Sequence, residues 1–93
     1  MGKRVKVRLF ATLREEVGVR ELDLEVDGGI EDLVRKADEN TGGRFSAAVW
    51  RDGWFKDGLI IFVNGRNIVF LGGRKAKLRD GDVLAIFPAI AGG

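Results

Sequence analysis

The feature that most constrains the fold of this 93-residue chain is a pair of alternating segments near the amino terminus. In residues 4–9 aliphatic side chains alternate with basic ones, and in residues 21–26 aliphatic side chains alternate with acidic ones. A period of two is typical of β-strands with one buried face and one solvated face. Because the two solvated faces carry opposite charges, the pattern favours two antiparallel neighbouring strands.

One main helix is predicted after these strands. Apolar residues in the segment 30–37 recur at i, i+3, i+4 and i+7, which is the spacing of a single helix face. Gly42-Gly43 marks the end of this helix. A shorter helical turn, closed by Gly18, is predicted between the two strands.

The segment 44–58 shows no regular period and is expected to be irregular. Its aromatic residues allow two interpretations, a contact patch for a partner or a cover over one edge of the core. These residues are Phe45, Trp50, Trp54 and Phe55. We favour the cover, because a domain this small has few large side chains with which to fill its core.

Three further strands are predicted in the carboxyl-terminal half. The continuous apolar run 59–63 is typical of a strand buried on both faces, and the Asn-Gly pair at 64–65 predicts a hairpin turn. A short strand over 67–71 and a last strand over 82–87 follow. Pro88 ends the last strand because it has no N–H to donate to a neighbour.

The order of these elements predicts an α+β fold, a mixed sheet with one main helix packed on one face. We expect the first and last strands to lie side by side at the centre of the sheet. Residues 1–93 are expected to form a single domain, with 88–93 as an extended, flexible tail.

Composition excludes several kinds of chemistry. Cysteine and histidine are both absent, which excludes a thiol nucleophile, a disulfide and a Cys/His zinc site. No glycine-rich phosphate loop is present, so we expect any ATP to be bound by a partner. We expect the chain itself to bind no metal and no cofactor. The 16 basic residues are nearly balanced by 14 acidic ones, which argues against a nucleic-acid partner. Without an apolar stretch of about 20 residues or a signal segment, we expect a cytoplasmic protein with no membrane partner.

The sequence ends in Gly92-Gly93. Glycine has no Cβ, so such an end is thin and can enter a narrow slot in another protein with its carboxylate leading. A carboxylate is unreactive at neutral pH until it is activated, and this chain carries no group that would activate it. The pair therefore suggests a carrier or substrate for other enzymes. An inert end is the alternative, because Gly-Gly also occurs three times earlier in the chain.

Four blocks of the sequence resemble the MoaD/ThiS ubiquitin-like sulfur carriers. They are residues 7–15 (VRLFATLRE), 63–68 (VNGRNI), 78–83 (LRDGDV) and 85–93 (AIFPAIAGG). The blocks occur in the family's order with the terminal glycines in register, although Ala89 stands where the family usually has a second proline. The resemblance implies a β-grasp, ubiquitin-like fold, and within the family it is strongest to MoaD, the small subunit of molybdopterin synthase.

The resemblance also implies a reaction at the terminus. An E1-like enzyme that uses ATP would adenylate the carboxylate of Gly93, with Gly92 providing access. A sulfur donor would then convert Gly93 to a thiocarboxylate. The carrier, which is not catalytic alone, would dock on the large subunit of molybdopterin synthase in a heterotetramer and donate sulfur for molybdenum cofactor biosynthesis.

The implied contact surface is apolar and lies near the tail, where Phe10, Phe87, Pro88 and Ile90 are the candidates. For Phe10 and Phe87, a place in the core is the alternative. Other functions remain open: a ubiquitin-like modifier joined to lysines through Gly93, a sulfur carrier for tRNA thiolation or thiamine synthesis, or an interaction module whose glycines are inert. The first two share the activation step with the molybdopterin function, so the residues do not distinguish them from it.

Overall fold

The computed structural model describes residues 2–88, and its main element is a five-stranded mixed sheet in the order β2-β1-β7-β5-β6. A separate two-stranded hairpin, β3-β4, lies beside it in the fold. The strands are β1 Lys3–Leu9, β2 Glu21–Val26, β3 Trp50–Arg51, β4 Trp54–Phe55, β5 Ile60–Val63, β6 Arg66–Asn67 and β7 Val83–Phe87. The helices are α1 Thr12–Val17, α2 Ile30–Thr41 and α3 Arg44–Val49. Within residues 2–88, none of these helices has the length and apolar character that crossing a membrane requires.

The first and last strands lie side by side at the centre of the sheet, as predicted. β1 pairs with β7 in parallel, β7 pairs with β5 in antiparallel, and β1 pairs with β2 in antiparallel. The register places Arg4 opposite Glu25, Lys6 opposite Asp23, and Arg8 opposite Glu21. The predicted matching of basic and acidic faces is therefore confirmed, although each exposed pair contributes at most about 1 kcal/mol.

The main helix packs across one face of this sheet. The predicted apolar face of α2 is buried, and Gly42 ends the helix in the left-handed conformation with its N–H on the Asp38 carbonyl. Gly18 closes α1 in the same way, as predicted. A mixed sheet with its first and last strands adjacent and one long helix on one face is the β-grasp arrangement, which confirms the expected fold class.

The prediction that 44–58 is irregular was wrong. Its first part forms α3, and its second part forms the hairpin of β3 and β4. Two side chains of α2 hold the start of α3: the Ser46 N–H donates to the Asp38 carboxylate at 2.7 Å, and the Phe45 N–H donates to the Thr41 hydroxyl at 3.1 Å. These contacts depend on the turn between the two helices, so no local cap signal marks α3 in the sequence.

The aromatic side chains of this segment cover the core, which is the interpretation that we favoured. Phe45 and Phe55 are buried, and Trp50 and Trp54 pack against the core in partial exposure. Trp54 is also 5.5 Å from the guanidinium of Arg74. The two tryptophans therefore already have partners within the described part of the fold.

Two predictions about the carboxyl-terminal half were also wrong. β5 is buried on one face only, because Ile61 and Val63 point into the core while Ile60 is 41% exposed. The expected strand over 67–71 is a two-residue strand followed by a 3-10 helix over Ile68–Leu71. In that helix the Asn67 side chain accepts the N–H of Val69, which caps the turn and removes the segment from the sheet.

A polar bridge built on the buried Asp82 joins the hairpin turn after β5 to the start of β7. The Asp82 carboxylate accepts the Asn64 side-chain amide at 2.8 Å and the Arg79 N–H at 2.8 Å. Asn64 in turn accepts the N–H of Val83 at 2.9 Å. Asn64 also has a φ of 51°, as the predicted Asn-Gly turn requires.

We predict that Asp82→Ala lowers the free energy of unfolding by about 1–3 kcal/mol, because it leaves the Asn64 amide and the Arg79 N–H without their acceptor. Urea denaturation measures this change. The matched control is Asp57→Ala, which removes an exposed carboxylate and should change stability by less than about 0.5 kcal/mol. Equal stability of the two variants would show that the bridge contributes nothing.

One carboxylate at the start of α2 is expected to make stability depend on pH. The backbone N–H groups of Gly28 and Asp27 donate to Asp32, and with Arg35 they hold the pKa of the Asp32 carboxyl below its ordinary value. Because the unfolded chain takes up this proton first, the stabilisation is complete above about pH 4 and is lost as the pH falls through the lower folded pKa. We predict that Asp32→Asn loses less stability than the wild type between about pH 5 and about pH 2.5, as measured by urea denaturation. A parallel loss in both proteins would contradict this.

Candidate functional site

The sheet face opposite α2 carries an apolar patch beside the point where β7 ends. Residues of β5 and β7 alternate between the core and this outer face, so their outward positions form a continuous surface. We define the tail-exit patch as these outward residues together with the residue that follows β1. It consists of Phe10, Ile60, Phe62, Val83, Ala85 and Phe87.

Three aromatic rings form the centre of the tail-exit patch. The rings of Phe10 and Phe87 are stacked, with centroids 4.3 Å apart and planes inclined by 14°. The ring of Phe62 meets that of Phe87 edge to face at 5.7 Å. Each ring is partly exposed, and none belongs to the buried core. Such rigid, half-exposed aromatic groups are typical anchors of protein interfaces.

A shallow depression of about 320 Å³ lies within the patch. It exists because Ala85, a small residue, pairs with Phe62 on one side and with Arg8 on the other. The larger flanking side chains stand above it and form its walls. The depression is thus shaped to receive an apolar side chain of a partner.

The ring of Phe10 is held in place by its neighbours. The backbone N–H of Phe10 donates to the carbonyl of Ile86 at 3.2 Å, which joins the end of β1 to β7. The guanidinium groups of Arg8 and Arg14 each lie 5.5 Å from the ring centroid, within cation–π distance. Arg14 is itself fixed by donating to the Leu9 carbonyl at 2.9 Å.

The residue after Phe10 has a strained backbone. Ala11 adopts φ 52° and ψ −134°, which only glycine adopts without steric cost. This conformation turns the chain from β1 into α1 directly beside the tail-exit patch. Strain stored next to a surface of this kind is often found at functional sites.

We predict that Ala11→Gly raises the free energy of unfolding by about 1 kcal/mol, because the relief of strain exceeds the greater entropy of glycine in the unfolded chain. The control, Ala47→Gly in the exposed face of α3, should lower it by about 0.5–1 kcal/mol. Thermal or urea denaturation distinguishes the two. A loss of stability in Ala11→Gly as large as that in the control would mean that the backbone at residue 11 is not strained.

A second, larger depression of about 480 Å³ lies on the same sheet face over β1 and β2. Basic and acidic side chains both line it, and Lys6 lies 3.9 Å from the carboxylate of Asp23 across the depression. Lys6 also lies 3.8 Å from the carboxylate of Glu21, outside the depression. The predicted balance of charge on this face is thus present in the structure. We therefore assign the candidate site to the apolar patch and not to this polar depression.

The structure brings together part of the predicted site. Phe10 and Phe87 are in contact, and Pro88 directly follows β7 with partial exposure. Ile90, Gly92 and Gly93 lie outside the described residues, as does most of the expected tail over 88–93. Their roles, and the extent of the single domain over 1–93, stay predictions.

Sequence reasoning missed Phe62, the third ring of the patch. The signal was present in the unbroken apolar run of β5, which we interpreted as burial on both faces. An apolar outer face next to Phe87 produces the same pattern. The small side chain of Ala85 creates the depression only because larger side chains lie on the neighbouring strands. Those neighbours could not be known from the sequence, so Ala85 did not predict a depression.

Comparison with known proteins places this fold among sulfur carriers and protein modifiers. The small archaeal modifier protein 3 of Haloferax volcanii is 34% identical over 91 residues, which cover 96% of this chain and 98% of that protein. A candidate sulfur carrier protein of Archaeoglobus fulgidus is 34% identical over 92 residues, again 96% of this chain and 98% of that protein.

Solved structures of similar proteins share this fold. A chain of the Amycolatopsis orientalis BexX/CysO complex superposes with a TM-score of 0.78 and 26% identity, covering 96% of this chain and 99% of that chain. A candidate molybdopterin converting factor, subunit 1, from Pyrococcus furiosus superposes with a TM-score of 0.69 and 31% identity. The match covers 95% of this chain and 99% of that chain. The ThiS family itself matches over residues 7–93. The chain therefore belongs to the ThiS family, whose members are ubiquitin-like sulfur carriers and modifiers.

Proposed function

We propose that this chain is a sulfur carrier whose Gly93 carboxylate is activated by an E1-like adenylating enzyme. In the first step a carboxylate oxygen attacks the α-phosphorus of ATP, which the partner binds, and pyrophosphate leaves. In the second step a sulfur nucleophile from a donor attacks the acyl carbon and AMP leaves. If the nucleophile is sulfide itself, this step leaves a thiocarboxylate on Gly93. If it is the outer sulfur of a persulfide, the product is an acyl disulfide, and a thiol then attacks the donor's sulfur, which releases the Gly93 thiocarboxylate and leaves a disulfide between that thiol and the donor.

The observation that carries this proposal is the position of the tail-exit patch. Its central ring, Phe87, is the last residue of β7, and only six residues separate it from the end at Gly93. Six extended residues span at most about 22 Å. A partner that holds the aromatic patch can therefore also receive Gly93 in a site about that far away, with Gly92 passing through the narrowest part.

For the sulfur acceptor we propose the pterin precursor of the molybdenum cofactor, with the chain as the small subunit of molybdopterin synthase. The likeness to the molybdopterin converting factor subunit of Pyrococcus furiosus supports this choice. The tail-exit patch is then the surface that docks on the large synthase subunit, and Pro88 and Ile90 extend that contact. Delivery to tRNA or to a thiamine precursor would use the same activated terminus.

The second candidate function is conjugation to proteins. It is favoured by the identity of 34% to small archaeal modifier protein 3, whose name describes a modifier. Here a lysine amine, and not a sulfur nucleophile, attacks the activated Gly93 carbonyl and forms an isopeptide bond. Both functions need the same adenylation, so they differ only in the acceptor.

Reconstitution tests the proposal. The full chain is incubated with the E1-like adenylating enzyme of its own organism, ATP and a sulfide source, and the products are analysed by intact mass. We expect release of pyrophosphate and an oxygen-to-sulfur exchange at Gly93, followed by conversion of a pterin precursor when the large synthase subunit is added. Adenylation with products only on lysines would favour the modifier, and the absence of any adenylation would contradict both functions.

A further inference from the structure

A basic cleft lies at the β6 edge of the sheet and shares one lining residue, Asn64, with the depression of the tail-exit patch. It has a volume of about 500 Å³ and is walled by four cationic side chains, Arg66, Lys75, Lys77 and Arg79. All four are exposed, and within residues 2–88 none forms an ion pair. Four cations in one cleft exceed the formal net charge of +2 of the whole chain.

The one carboxylate in the cleft, Asp82, offsets only one of these four positive charges. Asp82 is buried, and both of its oxygens already accept hydrogen bonds, one from the Asn64 amide and one from the N–H of Arg79. The cleft therefore presents an excess of positive charge to the solvent. The acidic strand β2 forms one edge of the sheet, and the cleft lies at the other edge, beside β6. The strand that pairs with β6 is β5, which carries no acidic residue.

An apolar tip belongs to the same segment. Phe70 is 85% exposed and Val69 is 69% exposed, whereas Leu71, the next residue, lines the cleft. In a 3-10 helix, residues three apart share a face, so Ile68 and Leu71 turn inward and the two residues between them turn outward. Phe70 is the most exposed large apolar side chain in the described part of the chain.

The tip is held in a fixed conformation. The Asn67 side chain accepts the N–H of Val69 at the start, and Gly72 ends the turn at φ 105°. The carbonyl of Gly72 then accepts the N–H of Lys75 at 2.9 Å, which connects the tip to the wall of the cleft. A rigid presentation lowers the entropy that a partner would lose on binding.

We propose that the basic cleft and the apolar tip together form a second docking surface, which binds an acidic protein segment carrying an apolar anchor residue. Charge complementarity selects the acidic residues of the segment, and Phe70 with Val69 contacts its apolar residue. A protein segment fits better than a nucleic-acid strand, because one exposed aromatic ring beside an aliphatic side chain provides no series of stacking platforms for bases. This surface does not involve Gly93, so the proposal stands independently of sulfur transfer.

Binding of a labelled model peptide tests this surface. The probe is a fluorescein-labelled peptide of about eight residues, at most about 29 Å when extended, with Glu and Asp around a central Leu-Phe pair. Fluorescence anisotropy with the full chain should show saturable binding that weakens as salt is raised. Lys75→Glu/Lys77→Glu and, separately, Phe70→Ser should each weaken binding by about tenfold or more.

A charge-matched control separates binding at this surface from a general effect of charge. Arg20→Glu/Arg51→Glu makes the same change of charge at exposed positions outside the cleft and should leave peptide affinity within about twofold. Absence of binding up to about 1 mM peptide would overturn the proposal. It would equally be overturned if a single-stranded oligonucleotide bound the cleft while the peptide did not, or if both double variants weakened binding alike.

Discussion

Deletion of Gly92 and Gly93 is expected to abolish adenylation of the chain and to change its free energy of unfolding by less than about 0.5 kcal/mol. The last strand, β7, ends at Phe87, and the deletion removes no residue of the core identified within residues 2–88, so we expect the fold to survive it. The reacting carboxylate, in contrast, would be moved back by two residues, or about 7 Å of extended chain. A partner that holds the tail-exit patch would then no longer reach it.

Pyrophosphate release with the E1-like enzyme measures adenylation, and urea denaturation measures stability. Gly93→Ala keeps the length of the chain but adds a Cβ at the reacting residue, and we expect it to slow adenylation by at least about tenfold. The matched control is Gly29→Ala, at a position with a negative φ and no atom within 4 Å of the added Cβ. A large loss of stability on deletion, or normal adenylation of the deleted chain, would contradict the assigned role.

Replacement of Phe87 by aspartate is expected to weaken docking on the activating enzyme by about 30-fold or more, since central aromatic anchors contribute at least about 2 kcal/mol to such interfaces. The change places a charge in the middle of the stacked rings and beside the depression formed by Ala85. Because Phe87 is partly exposed, we expect the fold to survive with a loss of about 1–2 kcal/mol.

Two further variants give this experiment its controls. Asn40→Asp adds the same charge on the exposed surface of α2, away from the outer sheet face, and should leave affinity unchanged. Phe62→Ala removes the third ring without adding charge and should weaken docking by about fivefold to 30-fold. Calorimetry or anisotropy with the purified partner provides the affinities. Normal affinity of Phe87→Asp in a folded chain would remove the tail-exit patch from the interface.

The sheet and the main helix could be predicted from the sequence because their signals are local. A strand with one buried face alternates with period two, and a helix with one buried face has apolar residues at i, i+3, i+4 and i+7. Each pattern lies within its own segment, as in β1, β2 and α2, and can be recognised without knowing the neighbouring elements. The helix α3 could not be predicted, because Asp38 and Thr41 of the preceding helix hold its start. The 3-10 turn at Ile68–Leu71 was read as a strand, since short apolar runs carry no distinctive period.

The candidate site was predictable only in part. Resemblance to a known family indicated Phe10 and Phe87, and the structure brings these two rings into contact. Phe62 could not be assigned before the register was known, because a strand with an apolar outer face and a strand buried on both faces have the same sequence pattern. The basic cleft gathers Arg66 with Lys75 and Lys77, which only the turn between them brings together.

The intact mass of the chain purified from its native cells tests the role of Gly93 most directly. We predict a species heavier by one exchange of oxygen for sulfur, with the difference confined to the tryptic peptide 80–93 and abolished in cells that lack the E1-like enzyme. Branched tryptic peptides, in which residues 80–93 end in Gly92-Gly93 joined to a lysine of another protein, would instead establish the modifier function. If every recovered chain carried an unmodified carboxylate, no such branched peptides were found, and loss of Gly93 left cofactor synthesis and thiolation intact, the proposed carrier function would be contradicted.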